Sequence, residues 1–288
     1  MFRPKDSMTS SLAPQIPTSK SLMGSAKARD GAEIAYTLWQ GEGPDRPRIA
    51  LVHSLAMDRS FWDRVVPLLA SDADLLVYDC RGHGASAKPA GPYTVELFAD
   101  DLADLMDAVG WQSAHVAGAS MGGCVSLAFA AAYPGRTDGL GLLDTTAHYG
   151  DDAPKAWAER AEKAKAEGLS GLVGFQKTRW FGDQFRENNP DVLQKALDVF
   201  LANDVNAYAE TCRMLGSADK RDALSGFRMP VRIVVGEEDY ATPIAMAEAM
   251  KAQMPQASLA VIPGARHFTP LEVPEDIAAE LSTLLKSA

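Results

Sequence analysis

"AHVAGASMGG", residues 114–123, runs from a short apolar stretch into a serine with a glycine two positions away on each side, Gly118 and Gly122. A serine that merely decorates a turn has no need of that spacing. A serine held on a sharp strand-to-helix turn does, because neighbouring Cβ atoms would collide where the backbone doubles back. On this reading residues 114–118 are a buried strand, Ser120 stands at its tip and a helix follows. The rest of the chain should then alternate strands with helices.

It does. "RIALVHS" (48–54), "DLLVYD" (74–79), "GLGLLDT" (139–145), "VRIVVG" (231–236) and "SLAVIPG" (258–264) are short apolar runs ending at polar or glycine residues. Such two-sided apolarity suits strands buried on both faces of a parallel sheet. "AEIAYTLWQG" (32–41) alternates instead and reads as an outer antiparallel strand. Between them, 60–70, 94–110, 122–135, 242–255 and 275–288 carry helical periodicity. The pattern predicts an α/β fold, a mostly parallel doubly wound sheet with an inserted helical cap. The core is expected from 27–145 and 228–288. Residues 146–227 offer only helical and loop material and form the expected cap, while 1–26, rich in Ser, Thr and Pro with no apolar run, read as a disordered leader.

Composition narrows the function. The 288 residues hold 47% hydrophobic and 23% charged residues, enough for a full core. A net charge of −10 argues against nucleic acid as a partner. No window reaches the ~18 consecutive apolar residues of a membrane span. Cys80, Cys124 and Cys212 lack C-x-x-C spacing, so neither a disulfide framework nor a zinc site is expected; reduced thiols in a cytoplasmic protein, monomeric or a small homo-oligomer, are the simple reading. No metal and no cofactor are called for.

Serine is a poor nucleophile at neutral pH and needs a base, which in turn needs a group to orient it. "VVGEEDYATP" leaves a strand and presents Asp239; "VIPGARHFTP" leaves the last strand and presents His267. The order Ser120, Asp239, His267 is that expected of a nucleophile on a strand-turn-helix corner. Glu237, Glu238 and Asp144 compete with Asp239 for the acid's place. Backbone N–H groups of Met121, which follows the serine, and of Leu55, in the loop after "RIALV", are the expected oxyanion donors. His53 and His83 read as loop braces, His115 as a buried strand residue and Cys124 as packing. Trp157, Phe175, Trp180 and Phe181 either line a pocket or pack the cap itself, and "AERAEKAKAEG" reads as a solvated helix face.

"LVHSLAMDRSFWD", "YDCRGHGASAKP", "GASMGG", "GEEDYATP" and "PGARHFTPLEVP" together resemble the α/β-hydrolase fold family from residue 30 to the end. "RWFGDQFRENNPDVL", "YAETCRML" and "DKRDAL" resemble the cap of the 3-oxoadipate (β-ketoadipate) enol-lactone hydrolases of aromatic catabolism. The resemblance implies a cofactor-free hydrolase of a small ester or lactone. Its enol-lactone substrate carries a carboxylate, for which Arg179, Arg213 or Lys177 could supply a cation; Trp180 and His148 complete the expected substrate contacts. A carboxylesterase, a hydrolase of carbon–carbon bonds in vinylogous diketones and a ligand receptor built on this fold are the alternatives.

Overall fold

The computed structural model describes residues 20–43 and 45–287. Eight strands form one sheet: β1 (Lys20–Lys27), β2 (Glu33–Gln40), β3 (Arg48–Val52), β4 (Asp74–Tyr78), β5 (Ala114–Ala119), β6 (Thr137–Leu143), β7 (Val231–Gly236) and β8 (Ser258–Ile262), in the spatial order β1-β2-β4-β3-β5-β6-β7-β8. β1 and β2, and β2 and β4, pair antiparallel, and every other pair is parallel. The helices are α1 (Val66–Leu69), α2 (Val95–Ala108), α3 (Met121–Ala132), α4 (Ala153–Glu167), α5 (Val173–Trp180), α6 (Asp183–Asn188), α7 (Pro190–Leu201), α8 (Val205–Ser217), α9 (Arg221–Leu224), α10 (Ile244–Gln253), α11 (Thr269–Glu272) and α12 (Pro274–Leu285). Six of them, α4 to α9, lie in succession between β6 and β7.

The parallel strands bury both faces. Ile49, Ala50, Leu51 and Val52 of β3 and Val116 and Ala117 of β5 are fully enclosed, which is why these runs lack the alternation of a one-sided sheet. Their register aligns the carboxyl ends: Val52 lies opposite Gly118, Ala119 opposite Leu143, and Leu143 opposite Val234. The loops that follow β3, β5, β6 and β7 therefore open on one edge of the sheet, where the chain order reverses between β3 and its two neighbours β4 and β5.

Three expectations are corrected. Residues 20–26, assigned to the leader, belong to β1; residues 1–19 lie outside the described residues. β1 escapes a hydrophobicity reading because it is almost wholly exposed and is held by its backbone ladder to β2, from Lys20 opposite Gln40 to Lys27 opposite Glu33. It also makes β2 an interior strand rather than the outer one. The single helix expected over 60–70 is a 3₁₀ turn at Arg59–Trp62, capped by the Asp58 side chain, followed by the short α1. Pro67 has no N–H to donate one turn back, so the two pieces cannot merge.

Candidate active site

Ser120 sits between the end of β5 and the first residue of α3 with φ 53° and ψ −116°, a positive-φ conformation that a residue with a side chain ordinarily avoids at a cost of about 1–3 kcal/mol. Its N–H is tied to the Leu143 carbonyl at 2.9 Å, and its own carbonyl accepts the Thr145 hydroxyl at 2.7 Å. The two glycines are there for space. A Cβ on Gly118 would lie 2.0 Å from the Gly122 carbonyl oxygen, and one on Gly122 would lie 2.2 Å from that of Val52. The doubled-back chain thus aims Oγ away from the sheet.

His267 Nε2 lies 3.0 Å from Ser120 Oγ, and its Nδ1 lies 2.8 Å from Asp239 Oδ2. All three residues are buried. Asp239 is fixed from its other side: Oδ1 accepts the N–H groups of Ala241 (2.7 Å) and Thr242 (3.0 Å), and Oδ2 also accepts the Thr242 hydroxyl at 2.8 Å. Burial alone would raise its pKa, but the charge and hydrogen bond of His267, with the Thr242 donors, hold it below the ordinary carboxylate value. Asp144, the rival acid, does not reach the imidazole. Its Oδ1 accepts Gly236 N–H at 3.1 Å, and its Oδ2 accepts the hydroxyl and N–H of Thr269 at 2.5 and 3.2 Å. It clamps the stems of the two loops that carry Asp239 and His267. Burial, and then the like charge of Asp239, pushes the Asp144 pKa well above its usual range.

The N–H groups of Met121 and Leu55 donate to no described residue, and Met121 opens α3, where the helix end adds its partial positive charge. The loop bearing Leu55 is braced by His53, whose Nε2 accepts Cys80 N–H at 2.9 Å and whose Nδ1 meets the Ser54 carbonyl at 2.8 Å. Burial lowers the pKa of His53 and, with the neighbouring His53, that of His83 to about 3, so both rings stay neutral. Cys124 is enclosed beside Thr145 and the Thr146 carbonyl, and burial raises its thiol pKa, which suits packing rather than nucleophilic use.

A chamber of about 20 Å³, roughly the room of one water, joins Ser120 and His267 to Leu55, Trp157, Arg160, Gln176, Arg179 and Trp180. Outside it lies a vestibule of about 570 Å³ that shares Trp157, Arg160 and Arg179 and adds Tyr149, Phe175 and Met246. A larger groove of about 660 Å³ runs past Glu238, Arg266 and Glu272 and includes none of Ser120, Asp239 and His267. Of the substrate contacts expected from sequence, Trp180 and Arg179 face the chamber. Arg213 and His148 do not. Arg213 is held between Glu162 and Glu210, each at 2.6 Å, and His148 bridges to Asp219 while its Nδ1 accepts Gly150 N–H at 3.2 Å. Lys177 lines neither cavity.

Arg160 and Gln176 were not singled out by the sequence. Arg160 falls within the run read as a solvated face, yet the buried stripe Ala153, Trp157, Ala161 and Ala164, spaced by three and four, marks the inward side of α4, and Arg160 flanks it. That stripe was the available signal. Gln176 carried none.

The turn from α5 into α6 is stapled to the loop of His267. Phe268 N–H donates to the Trp180 carbonyl at 2.9 Å, and Glu272 accepts both Gly182 N–H and Arg266 N–H at 2.8 Å. Arg266 Nη1 donates to the carbonyls of Thr178 (2.9 Å) and Phe181 (3.1 Å), and Trp180 stacks on Phe268 with ring centroids 4.8 Å apart.

The family model of the alpha/beta hydrolase fold matches residues 47–274. The chain is 32% identical to the 3-oxoadipate enol-lactonase 1 of Acinetobacter baylyi, over 86% of this chain and 92% of that protein. It is also similar to the crystal structure of an enol-lactonase from Burkholderia xenovorans LB400, at 32% identity and a TM-score of 0.87, covering 91% of this chain and all of that one. A thermophilic esterase from Thermogutta terrifontis, solved with malate bound, is 30% identical with a TM-score of 0.84, over 93% and 98% of the two chains. Among the described residues no helix is long and apolar enough to cross a membrane, and no three His, Cys, Asp or Glu side chains gather as metal ligands do. With its sheet order, its serine corner and these matches, the chain belongs to the alpha/beta hydrolase fold family.

Proposed function

We propose that this protein is a serine hydrolase that opens an ester or lactone through an acyl-enzyme, with a 3-oxoadipate enol-lactone type of substrate. The observation that carries the reading is the line of hydrogen bonds from Ser120 Oγ through His267 to Asp239, held at the mouth of α3. His267 Nε2 takes the proton as Oγ attacks the carbonyl carbon, and Asp239 holds Nδ1–H and stabilises the imidazolium without itself being protonated. The N–H groups of Met121 and Leu55 receive the oxyanion, a contribution on the order of 3 kcal/mol each. Collapse of the tetrahedral intermediate breaks the bond to the ring oxygen, which leaves with the proton from His267. In an enol-lactone that group is an enol, which becomes a ketone, so less is asked of the acid than with a simple alcohol. Water, deprotonated by His267, then attacks the acyl carbonyl and frees Ser120.

The lactone preference is supported by the two enol-lactonases among the relatives. A carboxylesterase is the second reading, supported by the Thermogutta esterase. Single-turnover mass spectrometry tests the mechanism. An acyl adduct on Ser120 that forms and decays over seconds is expected, with turnover lost in Ser120→Ala. Turnover surviving in Ser120→Ala refutes the nucleophile, and a persistent adduct or none would indicate a receptor. A panel of lactones and aryl esters then orders the two substrate readings.

A further inference from the structure

The two oxyanion donors are placed by different means. Met121 is the first residue of α3, and the helix itself aims its N–H. Leu55 N–H belongs to a turn, and a turn has to be held. Residues 54–57 close it through Met57 N–H, which donates to the Ser54 carbonyl at 3.1 Å, and Ala56 takes φ 58° to do so. That left-handed position suits glycine. With a side chain it is strained, and relaxing it would break the turn.

A peptide unit is planar and trans, so its C=O and N–H point opposite ways and whatever fixes the carbonyl fixes the N–H. The peptide joining Ser54 to Leu55 has its oxygen fixed twice, by Met57 N–H and by His53 Nδ1 at 2.8 Å. The ring nitrogen is the donor there, because Nε2 accepts Cys80 N–H. Leu55 N–H therefore points away from both donors, and Ser54 and Leu55 line the chamber of Ser120. The peptide joining Ala56 to Met57 supplies the N–H of the turn, and its own oxygen accepts Asn203 Nδ2 at 2.8 Å. Asn203 lies 147 residues further along the chain, in the connection from α7 to α8 of the helical insert.

Asn203 has one orientation open to it. Its NH2 faces three carbonyls, those of Ala56 and Val199 at 2.8 Å and that of Phe200 at 3.2 Å. A turned amide would set an acceptor against all three. The Oδ1 on the other side is enclosed and has no hydrogen-bond partner among the described residues, which costs stability. Two of the three contacts only finish α7, and a serine can do that: Ser217 Oγ bonds the carbonyls of Arg213 and Met214, four and three residues back, at the end of α8. The contact with Ala56 is the one that calls for an amide.

We propose that Asn203 is a positioning residue of the oxyanion site. It heads a line of hydrogen bonds through two peptide units: Asn203 Nδ2–H to the Ala56 carbonyl, Met57 N–H to the Ser54 carbonyl, and Leu55 N–H to the charged oxygen. The line aims the last donor and polarises it. The oxyanion site is therefore complete only with the helical insert seated on the loop after β3. The inference rests on the reading of Ser120 as nucleophile and Leu55 as donor, and adds to it a residue from outside the core.

Asn203→Ser separates this role from the capping of α7, since a serine keeps the bonds to Val199 and Phe200 and, one bond shorter, falls short of Ala56. Acylation and deacylation both pass through an oxyanion, so kcat and kcat/KM for 4-nitrophenyl acetate should fall together, with KM unchanged. The expected loss is on the order of 10-fold, below the roughly 10²- to 10³-fold of a donor removed outright. Tm should stay within about 2 °C of wild type. The inhibition constant of trifluoromethyl ethyl ketone reads the oxyanion directly: Ser120 Oγ adds to its carbonyl carbon, His267 takes the hydroxyl proton and the carbonyl oxygen keeps the negative charge. That constant should rise on the order of 10-fold in Asn203→Ser, while that of ethyl methyl ketone, which stays planar, holds. Lys195→Met cuts a different tie between insert and core, the exposed ion pair with Asp63 at 2.7 Å, and should leave rates and inhibition as they are. Unchanged rates and inhibition in Asn203→Ser overturn the inference, as does an equal loss in Lys195→Met, which would trace the effect to the seating of the insert alone. Asn203→Ala reads the same constants and decides where the serine variant gives no folded protein. Turnover surviving in Ser120→Ala removes the nucleophile and this inference with it. Ser120-dependent turnover that is indifferent to both Asn203 variants removes this inference alone.

Discussion

Replacing Asp239 with asparagine should abolish most activity without unfolding the protein, and the hydrogen bonds around the carboxylate say why. Oδ1 accepts two backbone N–H groups, from Ala241 and Thr242, at 2.7 and 3.0 Å. The NH2 of an asparagine cannot take that position without facing two donors, so its carbonyl oxygen goes there. The NH2 is then forced into the Oδ2 position, 2.8 Å from His267 Nδ1. A donor at that point fixes the imidazole with its proton on Nε2, the nitrogen 3.0 Å from Ser120 Oγ, and a protonated Nε2 cannot accept the serine's proton. The expected loss at neutral pH is about 10⁴-fold in kcat, or roughly 5 kcal/mol of barrier. The bonds at Oδ1 survive, so Tm should move little. The assay is steady-state hydrolysis of 4-nitrophenyl acetate, with Tm measured on the same samples and Asp144→Asn as the companion. Asp239→Asn activity within 10-fold of wild type, with Asp144→Asn inactive, would refute the argument and transfer the acid's role to Asp144.

Gly122→Ala should fail to accumulate as folded protein or melt several degrees lower, because its Cβ would lie 2.2 Å from the Val52 carbonyl oxygen and neither chain can yield; a Tm equal to wild type would contradict the close approach. Trp180→Ala removes a buried ring stacked on Phe268 and in contact with Phe200, and should cost about 3–5 kcal/mol, read as a Tm drop on the order of 10 °C. Asp144 has its pKa raised by folding, so its contribution to stability is fully present below the unfolded value near 4 and is lost as pH rises through the folded one. Wild type should therefore lose ground to Asp144→Asn as pH rises above about 4, and parallel stability curves would count against the buried charge.

The sheet was legible where physics is local. β3, β5 and β7 announce themselves because burial on both faces confines polar side chains to Arg48, His115 and Arg232 near their starts, and Ser120 does so because its corner excludes every residue but glycine at 118 and 122. β1 was not, since an exposed edge strand is specified by the ladder of its neighbour rather than by its own side chains. The same divide runs through the site. The residues of the hydrogen-bonded line follow strand ends and could be counted off in order. The lining of the chamber depends on how α4 and α5 turn against the sheet, and a helix carries that in a stripe of alanines rather than in any motif. Arg213 and Arg179 look alike in sequence; only the presence of Glu162 and Glu210 one helix turn or one helix away separates a surface ion pair from a cation that faces the nucleophile.

The staple between the turn 178–183 and the loop of His267 has a consequence for how such proteins diverge. A chimera that exchanges the whole helical insert for one from a paralogue replaces the chamber-lining Trp157, Arg160, Gln176, Arg179 and Trp180, but it also removes the carbonyls of Thr178, Trp180 and Phe181 that hold Arg266 and Phe268 in place. The imported segment has to offer acceptors at the same three points, or the imidazole drifts out of line with its serine. Grafts that splice inside α5, upstream of residue 178, keep the native turn and escape that penalty.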